Sequence, residues 1–270
     1  MPLNTIIACK LLDIGYRWQK DPYQNTQSLV PNLNNDNSER FREQVKSSQT
    51  HQSFINLINN DTDLILSARK MSSDEKEYAG AQGVDLIETP IALDALVFTL
   101  HPSNPVKSLT IKQIQDIYTG NITNWKDVGG RDAKINPYLR NANSGSQEQF
   151  EMVIMKDLNI AEFPESSYEL VINSMIMVFD VVTTDPNSIC YTFHYYKEQM
   201  ITETNVVSAA IEGIYPNKES ISNNSYPLVA EVYAIIRSDL DKSSMAYKLY
   251  ELLQTEEGKR VISESGYVPN

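Results

Sequence analysis

The chain has 270 residues, 41% of them hydrophobic and 21% charged, which is typical of a folded protein large enough for two lobes of about 100 to 150 residues each. Its formal net charge is −12, and no cluster of lysine and arginine interrupts the acidic balance, which argues against a nucleic acid or an anionic membrane surface as a partner. A small anionic ligand is compatible with this charge, because a buried anion site needs only a few local N–H groups and one or two cations.

The two cysteines, Cys9 and Cys190, lie far apart and have neither metal-ligand spacing nor a C-x-x-C arrangement. We therefore expect two buried thiols rather than a disulfide, and no metal or cofactor. No apolar run reaches the roughly 18 residues of a membrane span, and the first residues show no charged region followed by an apolar core. On this pattern we expect a mature chain whose cellular location has to be inferred from other features.

Strand-like and helix-like patterns alternate along the chain, which predicts an α/β protein. Short segments rich in β-branched and aromatic residues indicate strands, and apolar residues at helical spacing indicate helices. In chain order the predicted elements are a polar loop at Asn32–Ser38, strands at Asp63–Ala68 and Ala95–Leu100, helices at Ser108–Gly120 and from Ser144, strands at Asn205–Ala209 and Leu228–Ile236, and helices at Ser243–Leu253 and Glu256–Ser263.

Two of these helices begin with a capping-box spacing, in which a hydroxyl residue precedes a glutamine by three positions. Thr110 and Gln113 form one such pair, and Ser144 and Gln147 form the other. Each pair predicts that the hydroxyl caps the helix while the glutamine side chain returns to the cap residue.

Two proline-containing segments, Thr89–Ala92 and Tyr226–Leu228, come immediately before predicted strands and are candidate interdomain crossings. Two crossings imply a discontinuous first lobe, residues 1–91 plus 229–270, and a second lobe, residues 92–228. Ligands of open α/β sheets bind at the carboxyl ends of strands, so we expect the ligand crevice between the lobes.

The stretch from Arg140 to Gln147 combines a cation with a Ser-Gly-Ser turn that opens a helix. Ser144, Gly145 and Ser146 would offer an anion two hydroxyls and free amides at the positive end of a helix dipole, and Arg140 could add a charge-assisted pair. The alternative is that Ser144 merely caps its helix while Arg140 pairs with a surface acid. Spacing alone does not separate these two interpretations.

Several separate segments then resemble the phosphate-binding proteins of bacterial ABC importers. The segment from Ser108 to Trp125, SLTIKQIQDIYTGNITNW, is similar to the family's "sLT..qi.dIytGkItNW" string, and the stretch from Arg140 to Ser146 resembles its Arg-x-x-x-Ser-Gly-Thr/Ser loop. The segment from Gly258 to Pro269 is similar to the family's C-terminus, and Ile189–Phe193 is similar to its "iGYsf" strand, with Cys190 where glycine is usual.

The resemblance implies a two-lobed type II periplasmic-binding-protein fold, each lobe a mixed sheet flanked by helices. It implies a monomer that captures phosphate or a similar tetrahedral oxyanion without chemistry and delivers it to the membrane permease of an ABC importer. The expected location is extracytoplasmic, in the periplasm or anchored by lipid at the cell surface.

The resemblance also implies three further ligand loops, each expected at a helix N-terminus. The first is Asn25–Ser28, where Thr26 and Gln27 would donate, although the family glycine is missing. The second is Ser48–Gln52, with Thr50 as the hydroxyl donor. In the third loop, Ser67 and Arg69 would contribute, Arg69 either as a positive donor or simply as a surface charge.

Ala68 stands in the third loop where phosphate-binding relatives carry an aspartate that accepts a hydrogen bond from protonated phosphate. A site made only of donors cannot demand a proton, so the sequence predicts that sulfate competes within roughly two orders of magnitude of phosphate.

An enzyme is disfavoured because His51, His101 and His194 do not cluster in sequence and no catalytic motif is present. The alternating aromatic residues Tyr191, Phe193 and Tyr195 favour a core strand over a stacking platform. A family member repurposed as an oxyanion sensor or surface-interaction protein, without transport, stays open because of the departures at Asn25 and Ala68.

Overall fold

A computed structural model describes residues 2–142, 144–161, 171–172, 174–202 and 205–270. Contacts within the chain define two compact units, unit 1 formed by Met1–Leu93 with Ala230–Asn270 and unit 2 formed by Asp94–Val229. The chain passes between the units after Leu93 and after Val229, close to the segments predicted as crossings. That the two units move as separate lobes stays a prediction.

Unit 1 begins with a helix and a β-hairpin and continues with three helices and two strands, the second of which runs into unit 2. In chain order these elements are α1 (Pro2–Leu11), β1 (Tyr16–Lys20), β2 (Gln27–Pro31), α2 (Ser38–Gln44), α3 (Thr50–Ile58), β3 (Leu64–Ser67), α4 (Ser73–Gln82) and β4 (Leu86–Leu100).

Unit 2 alternates short strands with helices. Its elements are β5 (Ser108–Leu109), α5 (Ile111–Tyr118), β6 (Asn136–Pro137), β7 (Leu139–Arg140), α6 (Gly145–Phe150), β8 (Val171–Ile172), α7 (Met177–Thr184), β9 (Ser188–Phe193), β10 (Val207–Ser208), β11 (Ala210–Ile211) and α8 (Lys218–Ser222). The next strand, β12 (Val229–Arg237), returns the chain to unit 1. A 3₁₀ turn covers Trp125–Val128, and π-helical turns cover Glu151–Met155 and Tyr196–Met200. The chain then completes unit 1 with α9 (Met245–Leu252), α10 (Glu256–Glu264) and β13 (Val268–Pro269).

The central sheet follows the order β3-β12-β4-β9-β6, with β10 and β13 also paired to β4. In unit 1, β3 pairs antiparallel with β12, and β13 pairs antiparallel with the first half of β4. In unit 2, residues 96–100 of β4 pair antiparallel with β9, and β9 pairs parallel with β6. The predicted mixed α/β architecture is confirmed.

The core of unit 2 is built around β9, whose six residues are all buried. A strand buried on both faces must be apolar at successive positions, and Ile189, Cys190 and Tyr191 satisfy this. The ring of Tyr191 stacks on Phe150 at 4.5 Å between centroids. These contacts confirm that the aromatic residues of this strand fill the core.

In unit 1, α3 packs on β3 and places Phe54 and Leu57 against Ile65, Tyr233 and Ile235. The predicted helix face of Phe54, Leu57 and Ile58 is therefore confirmed as buried. Cys9 in α1 and Cys190 in β9 are both buried and free.

Most predicted elements are present, with differences at their ends. Ser108 and Leu109 do not belong to the predicted helix, because they form β5 and pair parallel with β11. Thr110 then caps α5, with its hydroxyl accepting from the Gln113 amide at 3.0 Å and the Gln113 side chain accepting from the Thr110 amide at 2.8 Å. Within the described ranges, no helix combines the length and apolar character that crossing a bilayer requires.

Candidate functional site

Arg140, the last residue of β7, is a buried cation of unit 2, and 6% of its surface is exposed. Its Nε donates to the Ile172 carbonyl of β8 at 3.1 Å. Within the described ranges, Nη1 has no hydrogen-bond partner and no carboxylate forms an ion pair with the guanidinium. Burial lowers the pKa of Arg140, but a guanidinium keeps its charge in proteins. The alternative in which Arg140 pairs with a surface acid therefore does not fit.

The backbone of Arg140 is held by two side chains of the core. Its N–H donates to Gln147 Oε1 at 2.9 Å and to the Tyr191 hydroxyl at 3.2 Å, while the Tyr191 hydroxyl donates to the same Gln147 oxygen. Burial raises the pKa of Tyr191, so its hydroxyl keeps its proton. The Gln147 amide group donates in turn to Glu151 at 2.7 Å.

The capping box predicted at Ser144 is therefore only half correct. Ser144 Oγ accepts from the Gln147 amide at 3.2 Å, as predicted, but the Gln147 side chain binds Arg140 rather than returning to Ser144. Gln147 is therefore a candidate site residue as well as part of the cap. Sequence reasoning assigned it only to the cap, because its contact with Arg140 forms only in the folded chain.

The Ser144–Ser146 turn brings together the groups that the sequence proposed for an anion. Ser144 Oγ lies 3.0 Å from Ser146 Oγ, and Ser146 is 1% exposed. Gly145 is the first residue of α6, and the π-helical turn from Glu151 continues the helical path. The first amides of a helix have no acceptor within it, so they are available to a ligand here. Gln147 ties the backbone of Arg140 to this turn, so Arg140, Ser144, Gly145 and Ser146 lie in one region of unit 2, which we call the Arg140 cluster.

In unit 1, the second predicted loop does precede a helix. Gln49 is the N-cap of α3, and Thr50 and His51 form its first turn. The third loop follows β3, as predicted, and its Ser67 is buried. The Ser67 hydroxyl donates to the Arg69 carbonyl at 2.7 Å and accepts from the Arg69 amide at 3.2 Å, so it shapes the loop itself.

Arg69 is not a surface charge, because only 2% of it is exposed. Its guanidinium forms a two-pronged ion pair with Glu75, at 2.7 Å from Nη1 and 2.8 Å from Nη2, and lies 5.1 Å from the centre of the Phe54 ring. Burial alone would raise the pKa of Glu75, but the hydrogen bonds from Arg69 and from the Ser72 amide outweigh it and lower the pKa. Glu75 is therefore ionised.

The Glu75 carboxylate also reaches His51, whose Nδ1 lies 3.0 Å from Oε1. We name the set His51, Arg69, Ser72 and Glu75 the Glu75 cluster. It joins the second and third predicted loops, so Thr50, Ser67 and Arg69 belong to one region of unit 1. Sequence reasoning placed His51 on a suspected ligand loop but missed Glu75, which is six residues beyond Arg69 and carries no motif of its own.

The first predicted loop is wrong in its structural setting. Thr26 and Gln27 do not precede a helix but belong to the β1–β2 hairpin, in which Gln27 pairs with Lys20. The Thr26 carbonyl accepts from the Asp21 amide at 2.8 Å, closing the turn. The β-rich segment after residue 27 prefers an antiparallel strand, so no helix N-terminus is available at this position.

Four further titratable residues, two histidines and two aspartates, have local settings in the described chain. His101 contacts Ser103, and burial lowers the pKa of His194, which favours the neutral ring. Asp185 accepts from Asn136 at 2.9 Å and Asp180 lies exposed on α7. In the described part of the chain, no group of three or more histidine, cysteine or acidic residues is placed to bind a metal ion.

Comparisons with known proteins agree with this geometry. The family model described as "PBP superfamily domain" matches residues 34–253. The chain is 26% identical over 264 residues to a phosphate-binding protein PstS of Borreliella burgdorferi, covering 96% of this chain and 90% of that protein.

Two solved structures resemble the chain at 25% sequence identity. The ABC-type phosphate transport receptor from Vibrio cholerae has a TM-score of 0.64 and covers 82% of this chain and 85% of that one. PstS from Borrelia burgdorferi has a TM-score of 0.56, with coverages of 81% and 83%. The predicted type II periplasmic-binding-protein fold is confirmed by these neighbours.

Proposed function

The chain belongs to the PBP superfamily, and from this premise we propose that it is an extracytoplasmic solute-binding protein that captures phosphate or a similar tetrahedral oxyanion for an ABC importer. The proposal follows the names of the similar proteins, which are a phosphate-binding protein and a phosphate transport receptor. It includes no catalytic step, because the similar proteins are named for binding and transport.

One observation carries the proposal, namely the buried guanidinium of Arg140. Burying a charge is costly unless it is paired, so an arginine with a free Nη1 in the described chain needs an anion to complete its site. The hydroxyls of Ser144 and Ser146 and the amides of α6 stand in the same turn and are all donors to such an anion.

The proposed ligand contacts in unit 1 are supported unequally. Thr50 lies in the first turn of α3, where the first amides of a helix have no acceptor within the helix. Ser67 and Arg69 are engaged within their own loop and with Glu75, so they support the site by shaping it. Thr26 and Gln27, in the hairpin, stay proposed contacts with the weakest support.

The partners follow from the proposal. A protein that delivers an oxyanion to an importer has to meet a membrane permease, and the ordinary state for delivery is a monomer. The proposed location is outside the cytoplasm, in a periplasm or anchored by lipid at the cell surface.

An oxyanion sensor without transport is the second candidate. The observation that favours it is the segment before residue 34, which lies outside the family match and forms the β1–β2 hairpin. Both candidates bind an anion, so they differ only in whether the protein supports uptake in cells.

Native mass spectrometry followed by calorimetry tests the proposed function. We expect the purified protein to retain a mass equal to phosphate or a similar oxyanion, and the stripped protein to bind phosphate at one site. Absence of a retained anion together with no heat of binding for phosphate, arsenate or sulfate contradicts the proposal.

A further inference from the structure

The Glu75 cluster contains one carboxylate that serves three partners. Glu75 is 0% exposed and accepts from both nitrogens of the Arg69 fork, from the Ser72 amide at 2.9 Å and from His51 Nδ1 at 3.0 Å. Arg69 balances the charge of Glu75, so the buried part of the cluster is electrically neutral. The carboxylate is therefore fixed by three partners, one of which is the partly exposed ring of His51.

The contact with Glu75 decides which ring nitrogen of His51 carries hydrogen. An ionised carboxylate only accepts hydrogen bonds, so Nδ1 has to be the donor. In a neutral imidazole the other nitrogen, Nε2, is then a hydrogen-bond acceptor. The His51 side chain is 44% exposed, so a ligand can reach it, and the other acidic group near Nδ1 is Asp74 at 3.8 Å.

Acceptors matter at this site because its other identified groups are amides and hydroxyls, which can donate to any oxyanion and therefore do not demand a proton. The Ala68 side chain cannot accept a hydrogen bond, and the Ser67 hydroxyl is engaged with Arg69. His51 is the second residue of α3, next to Thr50, the hydroxyl proposed to bind the ligand. A lone pair at this position favours an anion that still carries a proton over one that carries none.

We propose that Nε2 of His51 is the acceptor that selects a protonated oxyanion, such as phosphate or arsenate, over sulfate, and that Glu75 is the positioning residue that fixes this tautomer. The inference rests on the proposed function, since it assigns the selectivity of that same site. It reverses the expectation from Ala68 that sulfate competes well, because the proton is now recognised from the second loop rather than the third.

Competition titrations measure the selectivity directly. Phosphate and sulfate are titrated into the wild-type protein, into His51→Ala and into His101→Ala, at about pH 8, above the range in which histidines ordinarily titrate. We expect the wild type to prefer phosphate by roughly 100-fold or more, and His51→Ala to lose about tenfold or more of that ratio, because one acceptor is removed. His101→Ala is the matched control, since the hydrogen bonds of the His101 ring in the described chain are to Ser103, and its ratio is expected to equal the wild-type ratio.

Nitrogen-15 NMR tests the tautomer. The chain has three histidines, so the His51 signals are identified by their loss in His51→Ala. We expect a protonated Nδ1 and an unprotonated Nε2 at about pH 8, and in Glu75→Gln we expect this preference to weaken together with the selectivity ratio. Thermal unfolding of Glu75→Gln shows whether that variant is folded. If it is unfolded, His51→Ala, at a half-exposed position, still tests the role of His51 in selectivity.

The outcomes separate this inference from the proposed function. If neither phosphate nor sulfate binds the wild type, the proposed function fails. If phosphate binds but His51→Ala keeps the wild-type ratio, or the NMR spectrum shows hydrogen on Nε2, only the role of His51 is overturned.

Discussion

Arg140 brings a positive charge into the interior of unit 2 at a position where other side chains do not neutralise it in the described chain. At the residue scale, the site is defined by this charge and by the side chains that orient it, Gln147 and Tyr191. Arg69 shows the opposite case, because its charge is matched by Glu75. Of the two arginines that are buried in the described chain, Arg69 is matched within the fold, and Arg140 is the one that we propose binds a ligand.

Removing a ligand donor from the Arg140 cluster should weaken anion binding. We expect Arg140→Ala and Ser144→Ala each to reduce the binding free energy of phosphate by about 1.5 to 3 kcal/mol, the usual range for hydrogen bonds to a charged group. Calorimetry measures the loss, and Arg42→Ala, at an exposed position of α2, is the control. Unchanged affinity in both variants would show that the turn is only a helix cap.

Gln147 should matter indirectly, through Arg140. Gln147→Ala removes the acceptor of the Arg140 amide and of the Tyr191 hydroxyl, leaving buried polar groups unpaired. We expect a loss of about 1 to 3 kcal/mol in stability, measured by urea unfolding, and a weaker affinity for phosphate. Wild-type stability and affinity in this variant would contradict the positioning role.

Asp94 predicts a pH dependence of stability. Its buried carboxyl accepts from the Ala95 amide at 2.8 Å and the Tyr195 amide at 2.9 Å, and burial raises its pKa to about 7. Because the folded pKa lies above the unfolded value, the folded state binds more protons, and stability falls as pH rises from about 4 to about 7.

The Asp94→Asn variant keeps an acceptor oxygen and cannot titrate. We expect its unfolding free energy to decline less over this pH range than that of the wild type, by about 2 to 4 kcal/mol. Urea unfolding at a series of pH values gives both curves. Parallel curves would mean that Asp94 ionises in the folded protein as readily as in the unfolded chain.

At the level of secondary structure, short sequence patterns determine where the helices begin. Contacts with distant residues determine which hydrogen bonds the first residues of each helix make. The spacing Thr-x-x-Gln produced a complete capping box at α5, whereas Ser-x-x-Gln at α6 produced half of one because Arg140 competes for Gln147. The same four-residue pattern thus serves structure in one helix and the candidate site in the other.

The cap of α5 should contribute measurable stability. Thr110→Ala removes the hydroxyl that accepts from the Gln113 amide, and we expect a loss of about 1 kcal/mol in the free energy of unfolding. Thr110→Ser, which keeps the hydroxyl, is the matched control and should stay close to the wild type. Equal stability of all three proteins would remove the energetic argument for this cap.

At the scale of the whole molecule, the chain forms two compact units joined by two crossings, after Leu93 and after Val229. Each unit carries a group of donors at a helix N-terminus, around α6 in one and α3 in the other. That one ligand is bound by both lobes, with hinges near Pro90 and Pro227, stays a prediction from the sequence.

Closure on binding should be visible by small-angle X-ray scattering. We expect the radius of gyration to decrease when saturating phosphate is added to the stripped protein, because a ligand gripped by two lobes, as the sequence predicts, would draw them together. Arg140→Ala, at the same phosphate concentration, should contract less. Superimposable curves for the stripped and the saturated wild type would argue against a ligand-driven clamp.

The sequence by itself determined the fold class, most strands and helices, and the donor turn after Arg140, because these depend on local periodicity and on motifs contained in a few consecutive residues. It was wrong about the helix after Asn25, where a hairpin forms. Only the tertiary structure decided which partners the buried charged residues have. Glu75 reaches His51 across 24 positions of sequence and Tyr191 reaches Arg140 across 51, and such pairings arise from packing, which no local pattern encodes.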